Sequence, residues 1–136
     1  MTSALSRGLQ STPSALALAT TLTAAGVLHL VAPRTFEDLI PERLGDARAW
    51  VLGSGVAEVA CGVALALPVT RRVGALATAG LFVAVFPGNV TMALKSRRGS
   101  RHLARNPHVA WGRLPLQVPL VLWARAVAAG APSGSR

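Results

Sequence analysis

Residues 49–68 read AWVLGSGVAEVACGVALALP. Apart from Ser54 and Glu58 the stretch is apolar or small, and Pro68 closes it. About 20 such residues are what an α-helix needs to cross the hydrocarbon core of a bilayer. Trp50 stands at the opening, where an indole ring sits well at a membrane–water interface. A soluble helix of this length would show polar residues recurring along one face, and this one does not. The stretch predicts a spanning helix over 49–67, and with it a membrane protein.

Three further windows of the same kind flank it, at Ser14–Ala32, Val73–Leu94 and Val109–Ala129. The expected fold class is therefore all-α, a transmembrane four-helix up-down bundle in one domain at 14–129. An N-terminal tail is expected at 1–13 and a disordered tail, rich in Gly, Ser and Pro, at 130–136. Pro33 begins the first connection, Pro68 with Arg71 and Arg72 makes a tight turn, and Lys95–Pro107 is a basic loop. Ser14–Ala32 is longer than the apolar region of a secretory signal, so it reads as a retained span. In the fourth window Arg113, Pro115, Gln117 and Pro119 fall in the first half. Prolines at membrane depth need neighbours to satisfy the carbonyls they free, so that half is expected to face protein.

Composition agrees with a membrane location. Hydrophobic residues make up 51% of the 136 and charged residues only 14%, far from the soluble balance. The net charge of +9 raises nucleic acid as a partner, but Lys and Arg stand in short clusters between apolar blocks and not along one helix face. Beside a bilayer such cations gain roughly 1 kcal/mol each from anionic headgroups. The lipid bilayer is thus the expected partner, and nucleic acid is not. Cys61 is the only cysteine, which excludes an internal disulfide, a CxxC couple and a four-cysteine cluster; it reads as a small packing residue.

An up-and-down path puts Trp50 and Trp111 on one membrane face, here face B, with both termini and the Trp123 end of the fourth span on face A. Face-B connections hold eight of the 14 Lys and Arg residues and face A five. The positive-inside rule then makes face B cytoplasmic, in a multi-pass protein of a bacterial plasma membrane.

Five polar residues interrupt the apolar windows: His29, Glu58, Asn89, Arg113 and Gln117. At about 1.5 Å of rise per residue, all five fall between the face-B interface and the midplane, although they come from four helices. Polar groups at that depth are costly unless paired, and these five are placed to supply one another. Ser54, Gly55, Cys61 and Gly62 give the Glu58 face a small-residue surface, as Ala25 and Gly26 do for His29. Such surfaces let helix backbones approach, so the first two spans are expected to pack with His29 and Glu58 turned inward. Arg113 is one counter-ion for Glu58 and His29 another, and the residues leave that choice open. No metal is expected, because His29 and Glu58 lack a third ligand of suitable type. Phe36, Leu39 and Ile40, at helical spacing beside Glu37 and Asp38, read as a loop resting its apolar edge in the headgroups. Capping of the polar cluster from face B is the alternative role for this loop. Asn106 and Pro107 mark the start of the fourth span.

GVLHLVAPRTFEDLIP at 26–41, SGVAEVACGVALALP at 54–68 and FPGNVTMAL at 86–94 resemble the DoxX-like family of small four-helix integral membrane proteins. The likeness runs from Gly26 to about Arg125 and rests on the order and spacing of His, Pro, Glu, Gly and Asn. His29, Glu58 and Asn89 match polar positions of that pattern. The family takes its name from a subunit of a thiosulfate:quinone oxidoreductase, and its relatives include proteins tied to maturation of other enzymes. The resemblance implies a membrane location and a link to redox systems. The chain itself has no cysteine pair, haem-attachment motif or nucleotide loop to carry electrons. The expected function is a small-molecule-binding or accessory subunit of a membrane redox or stress-response system, not an enzyme on its own. No covalent cofactor is expected; a quinone is the fitting ligand class, and a membrane or redox protein the fitting partner. Two alternatives stand beside it: a quinone-linked oxidoreductase subunit in which Glu58 and His29 move protons, and a structural bundle with no ligand.

Overall fold

Short polar side chains decide where the long helices begin. The computed structural model describes residues 4–96 and 106–132, and among them every regular element is helical. In chain order these are α1 (Ala4–Leu9), α2 (Thr12–Val31), α3 (Arg34–Glu37), a 3-10 turn (Glu42–Leu44), α4 (Ala47–Ala66), α5 (Arg71–Ala84), α6 (Phe86–Lys95) and α7 (Pro107–Gly130). Ser11 Oγ accepts from Ser14 N at 3.3 Å at the start of α2. Asp46 Oδ1 accepts from Arg48 N and Ala49 N at 3.0 and 3.2 Å at the start of α4. Asn106 Oδ1 accepts from His108 N at 2.9 Å at the start of α7. Each of these caps satisfies main-chain donors that the first helical turn leaves open. That is why the helices begin before the apolar windows do: the capped first turn is helical but not yet apolar.

Among the described residues three stretches are long and apolar enough to cross a membrane: Thr12–Val31, Ala47–Ala66 and Arg71–Lys95. The last is not one straight helix as expected. It breaks at Val85, because Pro87 has no N–H to give and its ring crowds the preceding turn. α7 is one helix of 24 residues that runs through Pro115 and Pro119, but it does not share the apolarity of the other three. Its first half does not face protein throughout: Gln117 and Ala110 are buried, while Leu116 and Val118 are 56% and 62% exposed. Residues 4–9 of the expected N-terminal tail form α1, which packs against α7. Of the expected C-terminal tail, Gly130 belongs to α7 and Ala131 is buried. The rest of that tail, at 133–136, and most of the basic loop, at 97–105, lie outside the described residues.

α2 and α4 pack antiparallel with their main chains in contact. A Cβ on Gly26 would stand 2.7 Å from Gly55 O, and one on Gly55 would stand 2.9 Å from Gly26 O, so neither position admits a side chain. Further along, Leu18, Leu22, Leu65, Ala75, Ala124 and Val127, from α2, α4, α5 and α7, form the main core. Cys61 packs at its edge, as its small apolar neighbours suggested. Met92, Ala93 and Ala110 make a second cluster with Leu39 and Leu114 near the other end. Along α7, Gln117 falls between these two apolar clusters. Outward, Val31, Val56, Val73 and Leu122 leave more than half of their surface exposed, an apolar exterior suited to lipid.

Arg71, one of the cations expected to gain from headgroups, turns inward instead. Its side chain is buried, with Nε donating to Leu65 O at 2.9 Å and Nη2 to Ala66 O at 3.1 Å. Nη1 donates to Thr12 Oγ1 at 3.4 Å. One guanidinium therefore takes up the last carbonyls of α4, where a cation also meets the negative end of the helix dipole, and ties them to the start of α2.

Candidate functional site

His29 lies one turn after Gly26 on α2, and Glu58 one turn after Gly55 on α4. The close glycine contact brings the two polar side chains together: His29 Nδ1 is 2.7 Å from Glu58 Oε2 and 2.8 Å from Ala25 O. A main-chain carbonyl only accepts, so in the tautomer with a proton on Nδ1 the ring donates toward both Ala25 O and Glu58 Oε2. Glu58 is 8% exposed, and its partner is His29 and not Arg113. The choice left open by the sequence is thereby made. Phe36, from α3, covers the imidazole with ring centroids 4.2 Å apart.

A second pair forms on the opposite side. Asn89 Nδ2, on α6, donates to Gln117 Oε1, on α7, at 2.9 Å. Gln117 Nε2 in turn donates to Phe82 O, a carbonyl in the last turn of α5, where helix ends leave acceptors open. The break at Val85 thus leaves an acceptor that Gln117 uses, and it sets Asn89 on a separate helix. The five residues come together as two bonded pairs with Arg113 beside them, not as one mutually bonded cluster.

Between the pairs lies a cavity of about 450 Å³, within the range of small-molecule sites. His29, Glu58, Asn89 and Arg113 line it, whereas Gln117 stands behind Asn89 and does not. The rest of the wall is mainly apolar: Trp50 and Val51 from α4, and Ala84, Val85 and Pro87 from the α5–α6 break. Phe36, Leu39, Ile40 and Leu44 close it from the connection between α2 and α4. This connection caps the polar residues, the alternative role in the sequence reading, and does not simply rest an edge outward. It is tied down on both sides. Trp50 Nε1 donates to Leu44 O at 2.7 Å, Lys95 Nζ to Asp38 O at 3.2 Å, and Arg48 Nη1 lies 3.4 Å from Glu37 Oε1. The helical spacing of Phe36, Leu39 and Ile40 was the signal for these walls, but spacing alone does not say whether an apolar edge meets lipid or protein.

His29 and Glu58 are donors of metal-ligand type, and among the described residues no group of three or more His, Cys, Asp or Glu comes together. What the arrangement offers chemically is a mainly apolar pocket with one acidic–imidazole pair, one amide and one guanidinium in its wall. No curated protein and no solved structure matches the chain. The sequence model of a family described as a domain of unknown function, DUF8561, matches residues 18–128, a span that holds most of α2 and α7, the helices between them and all five polar residues. The chain therefore belongs to the DUF8561 family.

Proposed function

We propose that this is a DoxX-like integral membrane protein that crosses the bilayer four times, α5 and α6 together making the third crossing and α7 the fourth. Its cavity binds a small amphiphilic molecule, with a quinone as a fitting class, and it serves as an accessory subunit of a membrane redox or stress-response system. Face B is cytoplasmic, and the setting is a bacterial plasma membrane. The observation that carries this reading is the cavity of about 450 Å³ whose wall includes His29, Glu58, Asn89 and Arg113 and is otherwise mainly apolar. Helix-to-helix glue explains the two bonded pairs but gives no reason for polar groups to open onto a space.

Thermal unfolding of the detergent-purified protein tests the proposal. A short-chain ubiquinone or another single-chain amphiphile should raise the unfolding temperature of the wild type, and Glu58→Gln should fold but respond less. A wild type that no such molecule stabilises would reduce the polar residues to structural bonds.

The short His29–Glu58 contact favours a second reading, in which this pair delivers protons to a quinone whose electrons come from a partner protein. Quinone reduction by the assembled system would then fall at least about tenfold in both Glu58→Gln and His29→Phe. Binding without such a loss supports the accessory role.

A further inference from the structure

The chemical class of the cavity's occupant can be narrowed by asking which polar groups on its wall already have partners. Glu58 Oε2 has His29 Nδ1 at 2.7 Å, and the Asn89 amide donates to Gln117. Arg113 differs. Its guanidinium has no hydrogen bond or ion pair among the described residues, yet it lines the same cavity. It lies near enough to His29 for the two to interact electrostatically. Arg113 is six residues beyond Pro107 at the start of α7, roughly 9 Å along the helix, so its stem starts inside the expected hydrocarbon depth. Its side chain is exposed, so the head is open to a ligand, and a planar guanidinium matches an oxyanion through two parallel N–H donors. Glu58 does not fill that role, since its ion-pair partner is His29.

Resting on the reading of the cavity as a ligand site, we infer that its occupant is an alkyl oxyanion: a chain in the apolar part and a carboxylate or phosphate on Arg113. This head chemistry belongs both to a free fatty acid and to a phosphorylated lipid. A neutral headgroup leaves the guanidinium's charge unmatched.

Displacement of a fluorescent fatty-acid probe from the full chain in neutral detergent tests this, with dodecanoate, dodecyl phosphate, dodecanol and a short-chain ubiquinone as competitors. The expected result is that at least one anion displaces the probe at a concentration about tenfold or more below dodecanol; which anion is stronger tells the carboxylate source from the phosphate one. Arg113→Gln should remove the advantage over dodecanol, and Arg113→Lys should keep part of it. Equal displacement by anions and dodecanol overturns the inference, and this comparison needs no variant to fold. So does an advantage that survives Arg113→Gln. If ubiquinone or dodecanol stabilises the protein while the anions have no advantage, the site stands and only the anion fails. If nothing stabilises it, both readings fall.

Discussion

Arg71 directs Nε and Nη2 at the carbonyls of Leu65 and Ala66 and Nη1 at Thr12, so a substitution there acts on two helices at once. Arg71→Leu should lower the unfolding free energy by about 2 kcal/mol, the scale of losing charge-assisted bonds to buried acceptors. Arg72→Leu next to it should change little, and thermal unfolding of both variants in one detergent checks the contrast. His29, Glu58 and Asn89 were legible as residues of the candidate site, whose cavity they line, because each is a costly polar group inside an apolar window. Gly26 and Gly55 were legible because small residues one turn from a polar one mark a close helix approach. The role of Arg71 was not, since a cation at the end of a span looks the same in sequence whether it meets headgroups or turns back onto its own chain. The partner of Glu58 was equally hidden: His29 and Arg113 share its depth, and only the α2–α4 crossing selects between them.

Pro87 shapes the third apolar stretch as an element. It separates α5 from α6 at Val85, opens an acceptor at Phe82 for Gln117, and contributes to the cavity wall. Pro87→Ala restores a donor and removes the steric cause of the break. The expected outcome is a fold at least as stable as the wild type but with a weaker ligand-induced rise in unfolding temperature. A variant that loses stability and keeps full ligand response would show that the break does not shape the cavity. The proline stood in the sequence, but averaging apolarity over a window hides a broken helix inside a continuous apolar run. The ends of the helices were displaced for a related reason: Asp46 and Asn106 cap helices whose first residues are too polar to enter an apolar window.

At the scale of the whole molecule, the four crossings proposed above would place the Gln10 and Val69 regions on one side of the membrane and the Gly45 and Ser96 regions on the other. With Cys61 replaced by Ala, single cysteines at these positions should react with a membrane-impermeant maleimide from opposite sides of oriented vesicles. Labelling of all four from one side would refute the proposed topology. The helical class and the three stretches apolar enough to cross a membrane could be read from composition and window length, whereas α7, with Arg113, Gln117 and two internal prolines, sits at the limit of what apolarity can identify. The main-chain contact between Gly26 and Gly55 has a mechanical consequence. Two rods touching without side chains between them tilt together when bilayer thickness changes, so the spacing of His29 and Glu58 is insulated from that load. The break at Val85 is bridged by a side chain alone, Gln117 on Phe82 O and Asn89, and should take up more of the deformation. Short-chain and long-chain lipids would then alter the width of the pocket while leaving its acid–imidazole couple at constant separation.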